Sequence, residues 1–87
     1  SQIAVDPLDR VAVLHGGSDG WLELRAGDDG ALIWSVDEAP TPRTHYPFAV
    51  TISEGSVFTA SYLEGQSTQV LLRSLSLDSG SETWRTS

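Results

Sequence analysis

The most constraining feature of this sequence is a short motif that occurs twice. Gly30-Ala31-Leu32-Ile33-Trp34 reappears as Gly80-Ser81-Glu82-Thr83-Trp84, so glycine precedes tryptophan by the same spacing and the two copies lie 50 residues apart. An aspartate, Asp28 or Asp78, stands two positions before each glycine. Self-similarity at a period of tens of residues indicates a repeat architecture. We therefore expect two related structural units.

The segments between the turn-forming residues are short and rich in strand formers, and none shows helical spacing over ten residues. Within the long seventh segment, Leu71, Arg73, Leu75 and Leu77 share one parity, which predicts that they lie on one face of a strand. The predicted strands are 2–5, 10–15, 21–25 and 31–36 in the first unit, and 47–52, 57–62, 69–77 and 81–85 in the second.

The units are predicted at 1–39 and 47–87, with a connector at 40–46 whose Pro40 and Pro42 exclude a helix. Val11 and its equivalent Val57 lie 46 residues apart, whereas Gly30 and Gly80 lie 50 residues apart. The second unit is thus longer by about four residues, assigned to a loop at 63–68. The predicted fold is all-β, with two four-stranded antiparallel units. Four strands per unit and a period in the forties are typical of β-propeller blades.

Composition excludes several classes of partner. Twelve acidic residues oppose five arginines, and the net charge is −7. Binding to nucleic acid requires a basic surface, and so does binding to an anionic membrane, so neither is expected. No apolar window reaches the length of a membrane span. There is no cysteine, so no disulfide supports the small core.

The repeats also carry a family resemblance. The run from Gly17 through Glu23-Leu24, followed by Asp29-Gly30-Ala31-Leu32-Ile33-Trp34, resembles the blade repeat of the pyrroloquinoline-quinone-like (quinoprotein alcohol dehydrogenase-like) β-propeller superfamily. In the second copy, 54–59 and 75–84 match the first and last parts of that repeat. The second copy departs from it in having no Asp-Gly turn between its middle strands. The resemblance covers the whole chain as two blades and is specific for fold rather than for activity.

The resemblance implies structural roles for the repeated residues. In the related propellers, tryptophans at the end of a blade's last strand pack between neighbouring blades. This makes Trp34 and Trp84, with Gly30 and Gly80, the expected blade anchors. The two glycines are expected to have positive φ at hairpin turns.

No group of residues indicates catalysis or a metal. Asp28, Asp29 and Asp78 lack the alternating carboxylates of a calcium loop and are better explained by side-chain capping of turns. His15 and His45 lack zinc-site spacing. No nucleophile elbow is present to position a serine. We expect no enzyme activity, cofactor or metal. Three arginines on or beside strands are expected to pair with carboxylates across strands: Arg25, Arg73 and Arg85.

Residues that differ between the copies are the better candidates for contacting a partner, because a feature repeated in every unit serves the scaffold. These candidates lie in the 15–20 loop, in the 40–46 connector and in the 63–68 insertion. The predicted partner-facing residues are His15, Ser18, Asp19, Arg43, His45, Tyr46, Glu64 and Gln66.

Two blades leave sheet faces uncovered, and closed propellers have four to eight blades. We therefore expect the partners to be further blades, either of a longer chain, which the unequal copies favour, or of a homo-oligomer, together with a partner protein. The favoured function is a non-catalytic scaffold, a role that propellers of this superfamily have in membrane-protein assembly machinery and luminal sensors. The alternatives are part of a quinone-dependent dehydrogenase, which uses calcium and a stacking tryptophan, and a self-assembling ring.

Overall fold

The computed structural model describes residues 2–15, 20–37, 45–63 and 66–86. These residues form two four-stranded antiparallel sheets in sequence order, neither of which closes, and contain no helix. The predicted all-β fold with two antiparallel meanders is therefore confirmed. The first sheet contains β1 (Gln2–Val5), β2 (Arg10–His15), β3 (Trp21–Ala26) and β4 (Leu32–Asp37), and the second contains β5 (His45–Ser53), β6 (Ser56–Leu63), β7 (Gln66–Ser76) and β8 (Glu82–Thr86). No helix in the described ranges is long and apolar enough to cross a membrane.

The two sheets pack against each other through one face each. Alternation along the strands places every second side chain in this interface, where a single buried apolar cluster forms. Trp34 and Ile52 pack against its edges. The buried members are Ala12, Leu14, Leu22 and Leu24 from the first sheet and Val57, Leu75 and Leu77 from the second.

The parity predicted for the seventh strand is confirmed. Leu71, Arg73, Leu75 and Leu77 are all buried. Arg73, whose side chain is only 5% exposed, donates from Nε to Glu82 at 2.7 Å and from Nη1 to the main-chain carbonyl of Asp37 at 3.0 Å. Because Asp37 belongs to the first sheet, this buried charge also links the two sheets.

The two repeated glycines turn the β3–β4 and β7–β8 hairpins in the same way. Gly30 has a φ of 74° and Gly80 a φ of 76°, as the sequence predicts. The Asp29 carboxylate accepts a hydrogen bond from the Ala31 amide at 2.9 Å, which is the predicted turn capping. In the second turn Ser79 takes this place and accepts from the Ser81 amide. Asp78 instead forms an ion pair with Arg10.

Two strand boundaries differ from those predicted by more than one residue. The predicted 63–68 loop is wrong, because Leu63 ends β6 and Gln66 already begins β7. The extra residues lengthen this hairpin because Val70, a strong strand former, pairs with Tyr62. The fifth strand begins at His45, two residues before the predicted start.

Contacts between the sheets fix their relative direction. Arg10 lies 3.3 Å from Asp78, and the Trp34 indole N–H donates to the Leu77 carbonyl at 2.8 Å. These residues lie at or beside the short turns, which therefore meet at one end of the molecule, the tight-turn end. Because the strands are antiparallel, the strand ends that the 16–20, 38–44 and 64–65 segments join lie together at the other end, the connector end.

Candidate functional site

Four of the predicted partner-facing residues, His15, His45, Tyr46 and Gln66, lie in described strands at the connector end. His15 is the last residue of β2 and pairs with Trp21, which in turn pairs with Asp37 at the end of β4. In the second sheet, His45 and Gln66 both pair with Leu63. The strands thus bring His15 to the end of one sheet and His45, Tyr46 and Gln66 to the corresponding end of the other. The side chains of those last three, and the whole of Ser18, Asp19, Arg43 and Glu64, lie outside the described part of the structure.

The side chain of His15 belongs to a compact polar cluster on the face of the first sheet that points away from the second. Its ring stacks on Trp21 with centroids 4.1 Å apart, and its Nε2 lies 2.8 Å from Glu23 Oε1. Arg25 Nη2 lies 3.0 Å from Glu23 Oε2. The hydrogen bonds from His15 and from Arg25 lower the pKa of Glu23 below its usual value, although partial burial opposes the shift.

This cluster is arranged as a neutralised surface patch. The one carboxylate is shared between an imidazole and a guanidinium, so each of its oxygens already has a hydrogen-bond partner. Within the described ranges, no three or more His, Asp or Glu residues are grouped so as to hold a metal ion. The predicted pairing of arginines with carboxylates across strands is confirmed for Arg73. It is wrong for Arg25 and Arg85, which within the described ranges contact a carboxylate of their own strand.

Comparisons with known proteins add no relative. No protein-family model, no curated protein and no solved structure matches the chain.

The most specific side-chain arrangement is the contact of Trp34 with the β7–β8 turn. Besides the hydrogen bond to Leu77, the indole lies directly against Gly80, where an added Cβ would come 2.8 Å from Trp34 Cδ2. Only glycine leaves room for the ring at this distance. Trp34 of the first sheet thus packs against the β7–β8 turn of the second sheet and is hydrogen-bonded to it.

The second tryptophan has no such counterpart in the described structure. Trp84 is 47% exposed and meets Phe58 in a tilted contact with centroids 6.2 Å apart. A Cβ built on Gly30, the turn glycine of the first sheet, would have nothing within 4 Å. The two motifs are alike in sequence and backbone, but only one tryptophan is engaged with one turn.

Trp84 is part of an apolar face on the side of the second sheet that points away from the first. Phe48 stacks on Tyr62 with centroids 4.4 Å apart, and both rings are partly exposed. A shallow groove of about 230 Å³ runs beside them, with Phe58 and Leu72 in its lining. We call this surface the outer face of the second sheet; its large members are Phe48, Phe58, Tyr62, Leu72 and Trp84.

A second concavity opens between the sheets at the tight-turn end. It has a volume of about 430 Å³, and its lining includes Leu8, Arg10 and Ile52. The Arg10 guanidinium is engaged by two carboxylates, Asp6 at 2.8 Å and Asp78 at 3.3 Å. The charge in this cleft therefore serves to join the turns of the two sheets.

Sequence reasoning identified His15 but missed its surroundings. Glu23 and Arg25 share one parity of β3, and His15 faces Trp21 across the hairpin. Once the register of the β2–β3 hairpin is known, these two facts place the four residues on one face of the sheet. The register was not assigned from the sequence, so the cluster was not foreseen.

Proposed function

We propose that the chain is a non-catalytic β-propeller scaffold whose two blades present their connector end to a partner protein. The observation that carries the proposal is the common direction of the two sheets. The Trp34–Leu77 and Arg10–Asp78 contacts hold the short turns together, so the segments that differ between the repeats all join strands at the opposite end.

A division of this kind suits a binding scaffold. The tight-turn end contains the repeated features, with similar turn glycines and hydrogen bonds in both sheets. Binding residues are commonly found on loops that a rigid β framework positions. The connector segments vary in length and in sequence, and they join a framework whose core is shared by both sheets.

The experiment compares capture of proteins from an extract of the source organism by three immobilised chains. These are the unmodified chain, a connector variant with Asp19→Arg, Arg43→Glu and Glu64→Arg, and a control with Asp28→Arg. Asp28 is exposed in the β3–β4 turn, at the tight-turn end. Quantitative mass spectrometry identifies proteins that depend on the connectors, and each is then purified and titrated against the three chains.

We expect at least one protein whose affinity for the connector variant falls by about tenfold or more, equivalent to about 1.4 kcal/mol, while the control binds as the unmodified chain does. If every captured protein binds the connector variant as well as the control, the connector end is not the binding surface and the proposal fails.

A further inference from the structure

The packing of the two sheets supplies a template for a second interface. Pairing across each sheet aligns Ala12, Leu24 and Trp34 in the first with Phe58, Ser74 and Trp84 in the second. The face of the first sheet that is buried against the second therefore corresponds to the outer face of the second sheet.

Exposure differs sharply between corresponding positions on these two faces. Leu22 is 0% exposed in the interface, whereas its counterpart Leu72 is 43% exposed. Burying apolar area contributes about 25 cal/mol per Å², so an open face of this kind favours a covering surface. The pairs that point outward on this face in the β6–β7 register contain no charged residue: Phe58 with Ser74, Ala60 with Leu72, and Tyr62 with Val70.

The matching surface is present on the same chain. In the repeat, the outer face of the first sheet corresponds to the inner face of the second sheet, which packs on the first sheet. Ile3 and Val5 on that outer face occupy the positions that Val50 and Ile52 have on the inner face of the second sheet. Val50 and Ile52 pack against the buried core, whereas Ile3 and Val5 are each 64% exposed. Gly30 corresponds to Gly80. The Trp34 indole lies against Gly80, whereas the equivalent space beside Gly30 is open.

We propose that the outer face of the second sheet docks a second copy of this chain, through the outer face of that copy's first sheet. Trp84 of one copy packs on the Gly30 turn of the next, and its indole N–H donates to the Gly27 carbonyl, which corresponds to that of Leu77. The contact is head-to-tail and uses a different surface on each copy.

The charged residues on the first sheet's outer face are compatible with this docking. Glu23 occupies the position that corresponds to Arg73, which is itself charged and only 5% exposed between the sheets. Glu23 is already paired with Arg25 and hydrogen-bonded to His15 before any docking occurs. A buried charge is tolerated when it is paired and hydrogen-bonded, so the cluster can be covered without a new partner.

The test uses two variants that each remove one half of the contact. Leu72→Asp places a charge on the outer face of the second sheet, and Val5→Asp places one on that of the first. Both side chains are exposed in the single chain, so neither change removes a core contact. The control is Leu8→Asp, a side chain that is 76% exposed and lines the cleft between the sheets instead of either outer face. Far-UV circular dichroism verifies folding, and Trp84→Gln replaces Leu72→Asp if that variant is unfolded.

Mass is measured by light scattering at about 100 µM, well above the dissociation constant of an interface of ordinary size. We expect the unmodified chain and Leu8→Asp to have at least twice the 9.3 kDa of one chain, and each half-contact variant to be monomeric. An equimolar mixture of Leu72→Asp and Val5→Asp retains one intact contact, so it forms a dimer with one chain of each kind. A monomeric unmodified chain overturns the proposal, and a mixture that stays monomeric overturns the head-to-tail geometry. Neither result affects the proposal for the connector end, because that proposal is tested by the binding of a partner protein and not by self-association.

Discussion

Replacing each turn glycine by alanine separates the strain of the backbone from the contact with tryptophan. Gly30 and Gly80 have nearly the same positive φ, so the backbone cost is the same at both positions, about 1–2 kcal/mol for an L-residue. At Gly30 the new methyl group enters open space. At Gly80 it would come 2.8 Å from the Trp34 ring, and such overpacking costs roughly a further 1–3 kcal/mol.

We therefore expect Gly30→Ala to lower the free energy of unfolding by about 1–2 kcal/mol and Gly80→Ala by about 2–5 kcal/mol. A chain of this length has a stability of roughly 4–13 kcal/mol, so both variants are measurable over most of that range. Urea denaturation followed by circular dichroism gives the midpoints, and with a slope of about 1–3 kcal/mol per molar the two midpoints differ by about 1 M. Both variants are made in the Leu72→Asp chain, so that docking of a second copy does not contribute.

Equal midpoints for the two variants would refute the contact. A second arm repeats both substitutions in a Trp34→Leu background. The additional destabilisation at Gly80 disappears there if it arises from the indole, and persists if it arises from the turn itself.

Two further predictions concern the charged residues. Arg73→Met is expected to lower the free energy of unfolding by about 1–3 kcal/mol, because the Asp37 carbonyl loses its donor and the Glu82 carboxylate keeps only Arg85. Partly exposed Arg25→Met changes it by less than about 1 kcal/mol. Similar urea midpoints for the two would contradict this. Burial alone raises the pKa of Glu82, but the hydrogen bonds from Arg73 and Arg85 outweigh it and lower the pKa, as happens at Glu23. Both carboxylates therefore stabilise the fold above about pH 4.5, their value when unfolded, and stability falls as the pH drops below it. Glu82→Gln makes that fall shallower, and an unchanged slope in acid denaturation would be the contrary result.

Local pattern was sufficient for most of the fold. Alternation identified all eight strands, and shared parity placed Leu71, Arg73 and Leu75 on one face of β7, which the structure shows to be the buried face. Gly30 and Gly80 marked their turns because a positive φ is readable from residue type. These features depend on neighbouring residues, which is why a single sequence reveals them.

Contacts between distant residues were not predictable in the same way. Arg73 reads as an exposed strand arginine until the Asp37 carbonyl, 36 residues away in sequence, is brought beside it. The length of the β6–β7 hairpin was missed because Gly65-Gln66-Ser67 looks like a loop, whereas pairing of Val70 with Tyr62 draws the flanking residues into strands. At the connector end the sequence identified residues that differ between the repeats, and the strand order brings the flanking strand ends together.

The Trp34–Leu77 hydrogen bond also has a consequence for how the chain reaches its native state. Within each sheet every strand pairs with its neighbour in sequence, so each sheet requires the closure of short hairpins alone. The contacts that join the sheets span 36, 43 and 68 residues, and long-range contacts of this kind form late because their loop-closure entropy is larger. We expect the meanders to form first and the Trp34 indole to reach its acceptor in the final, slower phase of refolding.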